Sequence, residues 1–353
     1  MDMGSKVTAV AARDESGELL ERLTFKTSRD GIIAGVTRYG FETVVMMEEG
    51  EMAGWAYRTL LPYVEQVIVC DPKRNAWISK GSKSDEIDAE KLSELLRIKS
   101  FSPVYHTPNE DIAAFKVLVQ HYEETTKRSS RQMVQIKAMF RSQGVFPEGQ
   151  AVYGPEGRND YLSRVDNTST RIMLTREYEL LDYLIKKKAE AMSQVTAMSR
   201  QFPVIERFKR IPGIGPVLSA RFVAYVQDPS RFNKRGLWKF SCLGVVSRSS
   251  DGVPLGREHL DRSGNGVMKD LSKKAFDGAM RTKEMNPIKA FYRRSSRRCK
   301  DPVHARLNTQ RKILAMMRAM WRDFVPRNCV GDEGRPLGAS LQGQAPNHRE
   351  RRQ

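Results

Sequence analysis

Thr43-Val44-Val45-Met46-Met47-Glu48-Glu49-Gly50 is a compact apolar run that ends abruptly in two acids and a glycine. A short apolar run bounded in this way predicts a buried strand. Residues 67–70 form a second such run, closed by Asp71-Pro72, and between the two Trp55, Leu60 and Leu61 suit a helix packed on the sheet. Towards the N-terminus, residues 7–12 and 19–27 are β-prone and flank the turn-like Asp14-Glu15-Ser16-Gly17. Further on, residues 84–96 predict a helix with Ala89, Leu92, Leu95 and Leu96 on one face. Strands alternating with helices give roughly the first hundred residues an α/β class with a layered sheet.

The pattern changes near Asn109. Ile112, Phe115, Leu118, Val119 and Tyr122 follow helical spacing, and Leu174, Tyr178, Leu181 and Leu184 repeat it after a Gly-, Pro- and Asn-rich stretch, residues 144–167, read as a loop. Two long helices joined by a loop predict an antiparallel coiled-coil arm, while an ordinary two-helix layer on the sheet fits the pattern equally well. A third region opens with Arg210-Ile211-Pro212-Gly213-Ile214-Gly215-Pro216. Gly213 and Gly215 permit a tight turn between helices and leave N–H groups for a phosphate, the sequence form of a helix-hairpin-helix; a plain helix–helix turn is the simpler reading. The loops that follow, with Arg248, Arg257 and Arg262 among small residues, suit close approach to a sugar-phosphate backbone. The tail from about Pro326 is rich in Gly, Pro, Gln and Arg and reads as disordered.

Composition names the partner class. Sixty Lys and Arg against forty-two Asp and Glu give the 353 residues a formal charge of +18, with an isoelectric point near 9.8. Such an excess favours a polyanion. No apolar run reaches the roughly 18 residues needed to span a bilayer, and no signal sequence opens the chain. A cytoplasmic nucleic-acid binder is therefore preferred over a membrane protein. Residues 281–325 hold thirteen Lys or Arg and three acids, including Arg293, Arg294, Arg297 and Arg298. A charge run is usually a solvated helix face, but so one-sided a run points to DNA or RNA contact. Cys70, Cys242, Cys299 and Cys329 are scattered without a C-x-x-C pair, which argues for free thiols in a reducing compartment and against zinc.

Metal-dependent phosphodiester chemistry needs carboxylates that converge, so that two Mg²⁺ ions about 3.5–4 Å apart can clamp the attacking and leaving oxygens. Glu48 ends a strand, Asp85 and Asp88 stand three apart on one helix face, and Asp2 precedes the first strand-like run. Taken singly, each acid has a plainer reading. Asp85 also fits as a helix N-terminal charge, and Glu49 and Glu51 compete with Glu48 as surface acids.

At these residues the sequence resembles the DEDD transposases of the insertion sequence 110 family, the bridge-RNA-guided recombinases. The family's four acids correspond to Asp2 in Met1-Asp2-Met3-Gly4, Glu48 in Glu48-Glu49-Gly50, and Asp85 and Asp88 in Lys83-Ser84-Asp85-Glu86-Ile87-Asp88-Ala89, the most specific match. The Ile211–Gly215 turn, Leu243-Gly244-Val245-Val246 and Asp261-Arg262-Ser263-Gly264-Asn265 look like the family's C-terminal transposase domain. Only Met1 precedes Asp2, where the family's first acid follows several apolar residues, so an upstream start or a shortened first strand is expected. The serine loop is also shorter than the family's usual form.

The resemblance implies a RuvC-like, ribonuclease-H-like domain over residues 1–108 and a coiled-coil arm over 109–200. A mostly helical transposase domain would follow over 201–325, with a disordered tail over 326–353. It implies strand exchange through a covalent phosphoserine, with the acids as a Mg²⁺ or Mn²⁺ site acting in the same composite active site. The S-x-G pattern selects Ser250 in Ser250-Asp251-Gly252, while spacing back from Gly256-Arg257 selects Ser249; Ser250 is favoured. Donor and target DNA, a structured guide RNA and two or four copies of the chain are the implied partners, in the bacterial cytoplasm at the nucleoid. His259 lies near the loop and reads more simply as a surface histidine than as a proton carrier. Two rival functions remain: a RuvC-like nuclease using metal-activated water, indifferent to Ser249 and Ser250, and a non-catalytic nucleic-acid binder, indifferent to every acid.

Overall fold

A computed structural model describes residues 1–72, 84–247, 249–251, 253, 254, 256, 258–299 and 301–324. The chain divides into two compact units, Met1–Glu110 and Asp111–Gln353.

In the first unit, β1 (Asp2–Met3), β2 (Val7–Arg13) and β3 (Leu19–Lys26) form an antiparallel sheet in the order β1-β2-β3. A second sheet runs β4 (Val44–Glu48), β5 (Gln66–Cys70) and β6 (Pro103–Val104), with β4 parallel to β5. The Met1 nitrogen donates to the Met46 carbonyl at 2.9 Å, which sets β1 beside β4. Across the two sheets the strands therefore lie in the order β3-β2-β1, then β4-β5-β6.

Both faces of β4 and β5 are covered, which is why residues 44–47 and 67–70 are apolar instead of alternating with polar residues. Val45, Met47, Val67 and Val69 pack with α1 (Arg29–Thr37) and α2 (Ala53–Leu60) through Ile32, Val36, Ala56 and Leu60. Met46, Ile68 and Cys70 face the other way, onto Leu92 and Leu95 of α3 (Asp85–Arg97). Ala9 and Ala11 of β2 meet Ala89 on that same face. Helix α3 starts where Ser84 accepts a hydrogen bond from the Ile87 N–H at 3.2 Å, a side-chain N-cap that satisfies an otherwise free donor. It is fixed along its length by Arg13, 3.3 Å from Glu90, and by Arg22, 2.8 Å from the same residue.

The second unit opens with α4 (Glu110–Ser142), which returns as α6 (Thr168–Ser199). Phe115 lies against Phe202, just past the end of α6, with ring centroids 4.8 Å apart, and Phe140 lies 6.3 Å from Tyr178 near its start. The two helices thus run antiparallel. The stretch between them is not a plain loop: it holds a 3-10 turn (Ala151–Tyr153) and α5 (Pro155–Ser163). Glycine, proline and asparagine hid this helix, because its support comes from α6. Arg158 grips Asp182 with both guanidinium nitrogens at 2.6 Å and stacks over Tyr178.

The remaining elements form one helical core: α7 (Val204–Phe208), α8 (Pro216–Val226), α9 (Lys234–Phe240), α10 (Gly266–Arg281), α11 (Pro287–Arg298) and α12 (Pro302–Arg322). Phe208, Phe222 and Trp321 meet ring on ring at its centre. A buried polar group ties α4 to this core: Glu123 lies 2.6 Å from Arg221, which also reaches Asp270 at 3.0 Å, while the Tyr225 hydroxyl donates to Glu123 at 2.6 Å. Burial, then the Glu123 carboxylate, holds the Tyr225 hydroxyl far above the usual phenol range. Between α9 and α10 lie four two-residue strands: β7 (Val245–Val246) paired with β10 (His259–Leu260), and β8 (Ser249–Ser250) paired with β9 (Val253–Pro254).

Cys70, Cys242 and Cys299 are in no disulfide among the described residues, and Cys329 lies outside them. Among the described residues no helix is long and apolar enough to cross a membrane.

Candidate active site

Strand parity decides where the acids of the first unit point. Glu48 has the parity of Met46 on β4, so it faces α3. Met1 and Met3 pack on the α1–α2 side, which sends Asp2 between them to the α3 side, in register with Ala9. Asp85 and Asp88 sit in the first turn of α3 itself. A Cβ built on Gly4 would come 3.9 Å from an Asp85 carboxylate oxygen, which places that carboxylate at the edge of β1. Three elements of unrelated sequence thus bring four acids to one face.

The electrostatics record this proximity. Burial, then the Asp85 charge, pushes the Asp2 carboxyl above the usual carboxylate range; Asp88 adds to the shift and the Met1 amine opposes it. Burial, then Asp2, then Asp88 does the same to Glu48. One oxygen of Glu48, Oε1, is buried with no hydrogen-bond partner. A buried carboxylate oxygen without a donor is costly unless a cation serves it. Lys91 lies 3.3 Å from Asp88, one helical turn on. An oxygen-only acidic set of this kind fits a hard divalent cation such as Mg²⁺ or Mn²⁺. The carboxylates are gathered without being closed into a ligand shell: among the described residues no three such side chains already stand as a metal-holding group.

Lys91 was not among the residues singled out from the sequence, although its place three residues after Asp88 was a readable signal. Glu49, which the sequence offered as a surface acid competing with Glu48, lies just past β4 and meets His106, a partner the sequence did not point to, at 2.6 Å.

In the second unit, Ser249 and Ser250 form β8 and are exposed. Neither hydroxyl has a hydrogen-bond partner among the described residues. Asp251, next after β8, has φ +51°, a left-handed backbone that suits a tight turn from β8 into β9. The arm that carries them is clamped at its base. His259 pairs with Val246 and Leu260 with Val245, Asp261 donates its N–H to Gly244 at 2.9 Å, and Arg311 donates to the Leu243 carbonyl from Nε at 2.9 Å and Nη2 at 2.6 Å. His259 is exposed on this base. Such an arm presents a hydroxyl without burying it.

The structure sorts the basic candidates. Arg262 is exposed beside the turn in which Asp261 accepts from the Ser263 N–H and hydroxyl. Arg293, Arg294, Arg297 and Arg298 are exposed on α11, and Arg294 and Arg298 turn into a cavity that the other two do not line. Arg248 and Arg257 lie outside the described residues, as do Lys83 and Gly252 of the motifs. Gly213 has a packing duty: at φ +88° a Cβ would fall 2.2 Å from the Ala275 carbonyl and 2.5 Å from the Ala279 nitrogen of α10. Gly215, at the start of α8, faces open space. Gly213→Ala is therefore expected to destabilise the protein by about 2–4 kcal/mol, from left-handed backbone strain plus overpacking. Urea unfolding checks this; a change within about 0.5 kcal/mol, the range of neutral surface substitutions, would show that α10 yields easily.

Two family models match the chain. One, described as a transposase of the IS110 DEDD type, covers residues 1–146. The other, described as the transposase IS116/IS110/IS902 family, covers residues 205–293. No curated protein matches. The first model spans all four acids, the second spans the turn at Gly213 and both serines, and between them they take in well over half of the sequence. The chain belongs to the IS110 family of transposases.

Proposed function

We propose that this transposase exchanges DNA strands through a covalent phosphoserine on Ser250, with Asp2, Glu48, Asp85 and Asp88 as its divalent-cation site. The observation that carries the reading is the convergence of the four acids on the α3 face, with an unpartnered buried oxygen on Glu48. Repulsion of this kind is unfavourable in a purely structural site. The strand order β3-β2-β1 beside β4-β5 supports a RuvC-like, ribonuclease-H-like reading of residues 1–108. The antiparallel α4 and α6 support an arm over residues 109–200.

When bound, Mg²⁺ or Mn²⁺ would polarise the scissile phosphate and stabilise the charge that develops on its oxygens. The rest of the chemistry falls to the chain. Asp2, Glu48, Asp88 and, at the β1 edge, Asp85 would hold the cation, and Lys91 positions Asp88. The Ser250 hydroxyl attacks the phosphorus, its proton passes to a base, and the 3′- or 5′-oxygen of the broken strand leaves. The phosphodiester is kept as a phosphoserine ester, so the reverse attack by a new strand end rejoins DNA without ATP. Exposure of β8 suits a nucleophile that must meet a duplex. The +18 charge suits both donor and target DNA and the structured guide RNA proposed to select them. Exchange between two duplexes calls for two or four protomers.

The cation site has a test independent of activity. Millimolar Mn²⁺ is expected to raise the thermal midpoint of the first unit by roughly 3–8 °C through binding to the folded state alone. Glu48→Gln and Asp88→Asn should each lose most of that rise. An equal rise in both variants would place the ion elsewhere.

A further inference from the structure

The helical core of the second unit holds a cavity of about 730 Å³ between α9, α11 and α12. Among the described residues five cations line it, Lys234, Arg294, Arg298, Arg311 and Lys312, and no acid does. None of Lys234, Arg294, Arg298 or Lys312 forms an ion pair among the described residues. Aromatic surface lies among them. Trp238 lines the cavity under the Arg311 guanidinium, 5.1 Å from the ring centroid, and its indole N–H is buried without a partner. The volume suits a small organic ligand, and the lining asks for one that is anionic at one end and flat at the other. A nucleotide has both. An intact duplex presents its phosphates on a convex surface and keeps its bases stacked, so it cannot fill a concavity; a nucleotide turned out of the stack can.

From this we infer that the cavity receives one unstacked nucleotide of a bound nucleic-acid strand. Its phosphate is held by Arg294, Arg298 and Lys312, and its base lies against Trp238. Arg311 links this pocket to the serine arm, because the guanidinium over Trp238 is the one that holds the Leu243 carbonyl. A nucleotide seated here is thus coupled to the base of the arm that presents Ser249 and Ser250. The inference rests on the nucleic-acid reading of the basic region and on nothing in the strand-exchange chemistry.

The test is binding in EDTA, where no cleavage complicates it, by fluorescence anisotropy of labelled duplexes with the full chain. Three duplexes are compared: fully paired, with one extrahelical nucleotide, and with an extrahelical abasic residue. Wild type is expected to prefer the extrahelical nucleotide over both others by about tenfold, the scale of one base–aromatic stack. Trp238→Leu should bring that ratio close to one and leave the paired duplex within about twofold. Arg294→Gln with Arg298→Gln should weaken the extrahelical duplex most and flatten its salt dependence by nearly two counterions. A second readout needs no variant: 5-iododeoxyuridine at the extrahelical position should photocrosslink to the α9 peptide containing Trp238. Equal binding of the base-bearing and abasic duplexes, or a crosslink confined to other peptides, would overturn the proposal. So would adenosine monophosphate competing as tightly as the strand, which would make this a free-nucleotide site. Every readout is of binding in EDTA and none needs cleavage, so failure of the strand-exchange chemistry and failure of the pocket are separable.

Discussion

Ser250→Ala protein, given Mg²⁺, guide RNA and both DNA partners, is expected to form no covalent protein–DNA adduct. The loss should be at least about 10⁴-fold, the scale seen when a nucleophile is removed and only binding and electrostatics remain. Ser249→Ala is expected to retain the adduct within about tenfold, a modest local effect by the same reasoning. Both side chains are exposed on a two-residue strand, so neither change should cost more than about 0.5 kcal/mol of stability. A lost adduct therefore reports chemistry and not unfolding. The two serines occupy successive positions of one short strand and point to opposite sides of it, which is why a single hydroxyl should carry the reaction. The reverse pattern would move the nucleophile one residue back and keep the mechanism. Full activity of the double variant would end it.

Asp88→Asn should be nearly as damaging, on the order of 10³-fold in adduct formation, the upper range for losing a preorganised electrostatic group. Asp88 acts on both Asp2 and Glu48 and lies beside Lys91, so it is central to the cluster. Asparagine keeps the shape and removes one negative charge from a site where the charges repel. The variant should therefore fold at least as well as wild type and bind DNA with undiminished affinity, measured by anisotropy. Unimpaired folding and binding with failed chemistry is the signature of a cation-holding residue. A pure nucleic-acid binder would be unchanged in every assay. A nuclease using metal-activated water would fail with Asp88→Asn and survive Ser250→Ala.

How much of this could be read from residues alone differs between the parts. The short apolar runs at residues 43–47 and 67–70 announced buried strands, because a strand covered on both faces must be apolar throughout. The helix at residues 84–96 was equally legible from its Ala89, Leu92 and Leu95 face, and the two long helices from their spacing. Convergence of the acids was legible only as pairs. That Asp2 and Glu48 share a side follows from Met1, Met3 and Met46 packing in opposite senses, which needs β1 to lie beside β4. The α5 helix escaped notice because its stability comes from Asp182 and Tyr178 on a different helix. Gly213 read as a phosphate-facing turn residue, and its contact with α10 depends on a helix more than sixty residues away. The basic run around Arg293 to Arg298 was visible as charge. Its division between a cavity and open solvent was not, because the opposing wall, Trp238 and Arg311, comes from two other helices, α9 and α12.

One measurement bears most directly on the central claim: mass spectrometry of the trapped adduct. Wild-type protein would react with labelled donor and target DNA in the presence of guide RNA and Mg²⁺, be denatured, and be digested with nuclease and protease. The account predicts a peptide bearing a nucleotide through a phosphodiester on the Ser250 oxygen. DNA cleaved in full with no nucleotide on any serine-arm peptide would contradict it and leave a water-using nuclease in its place.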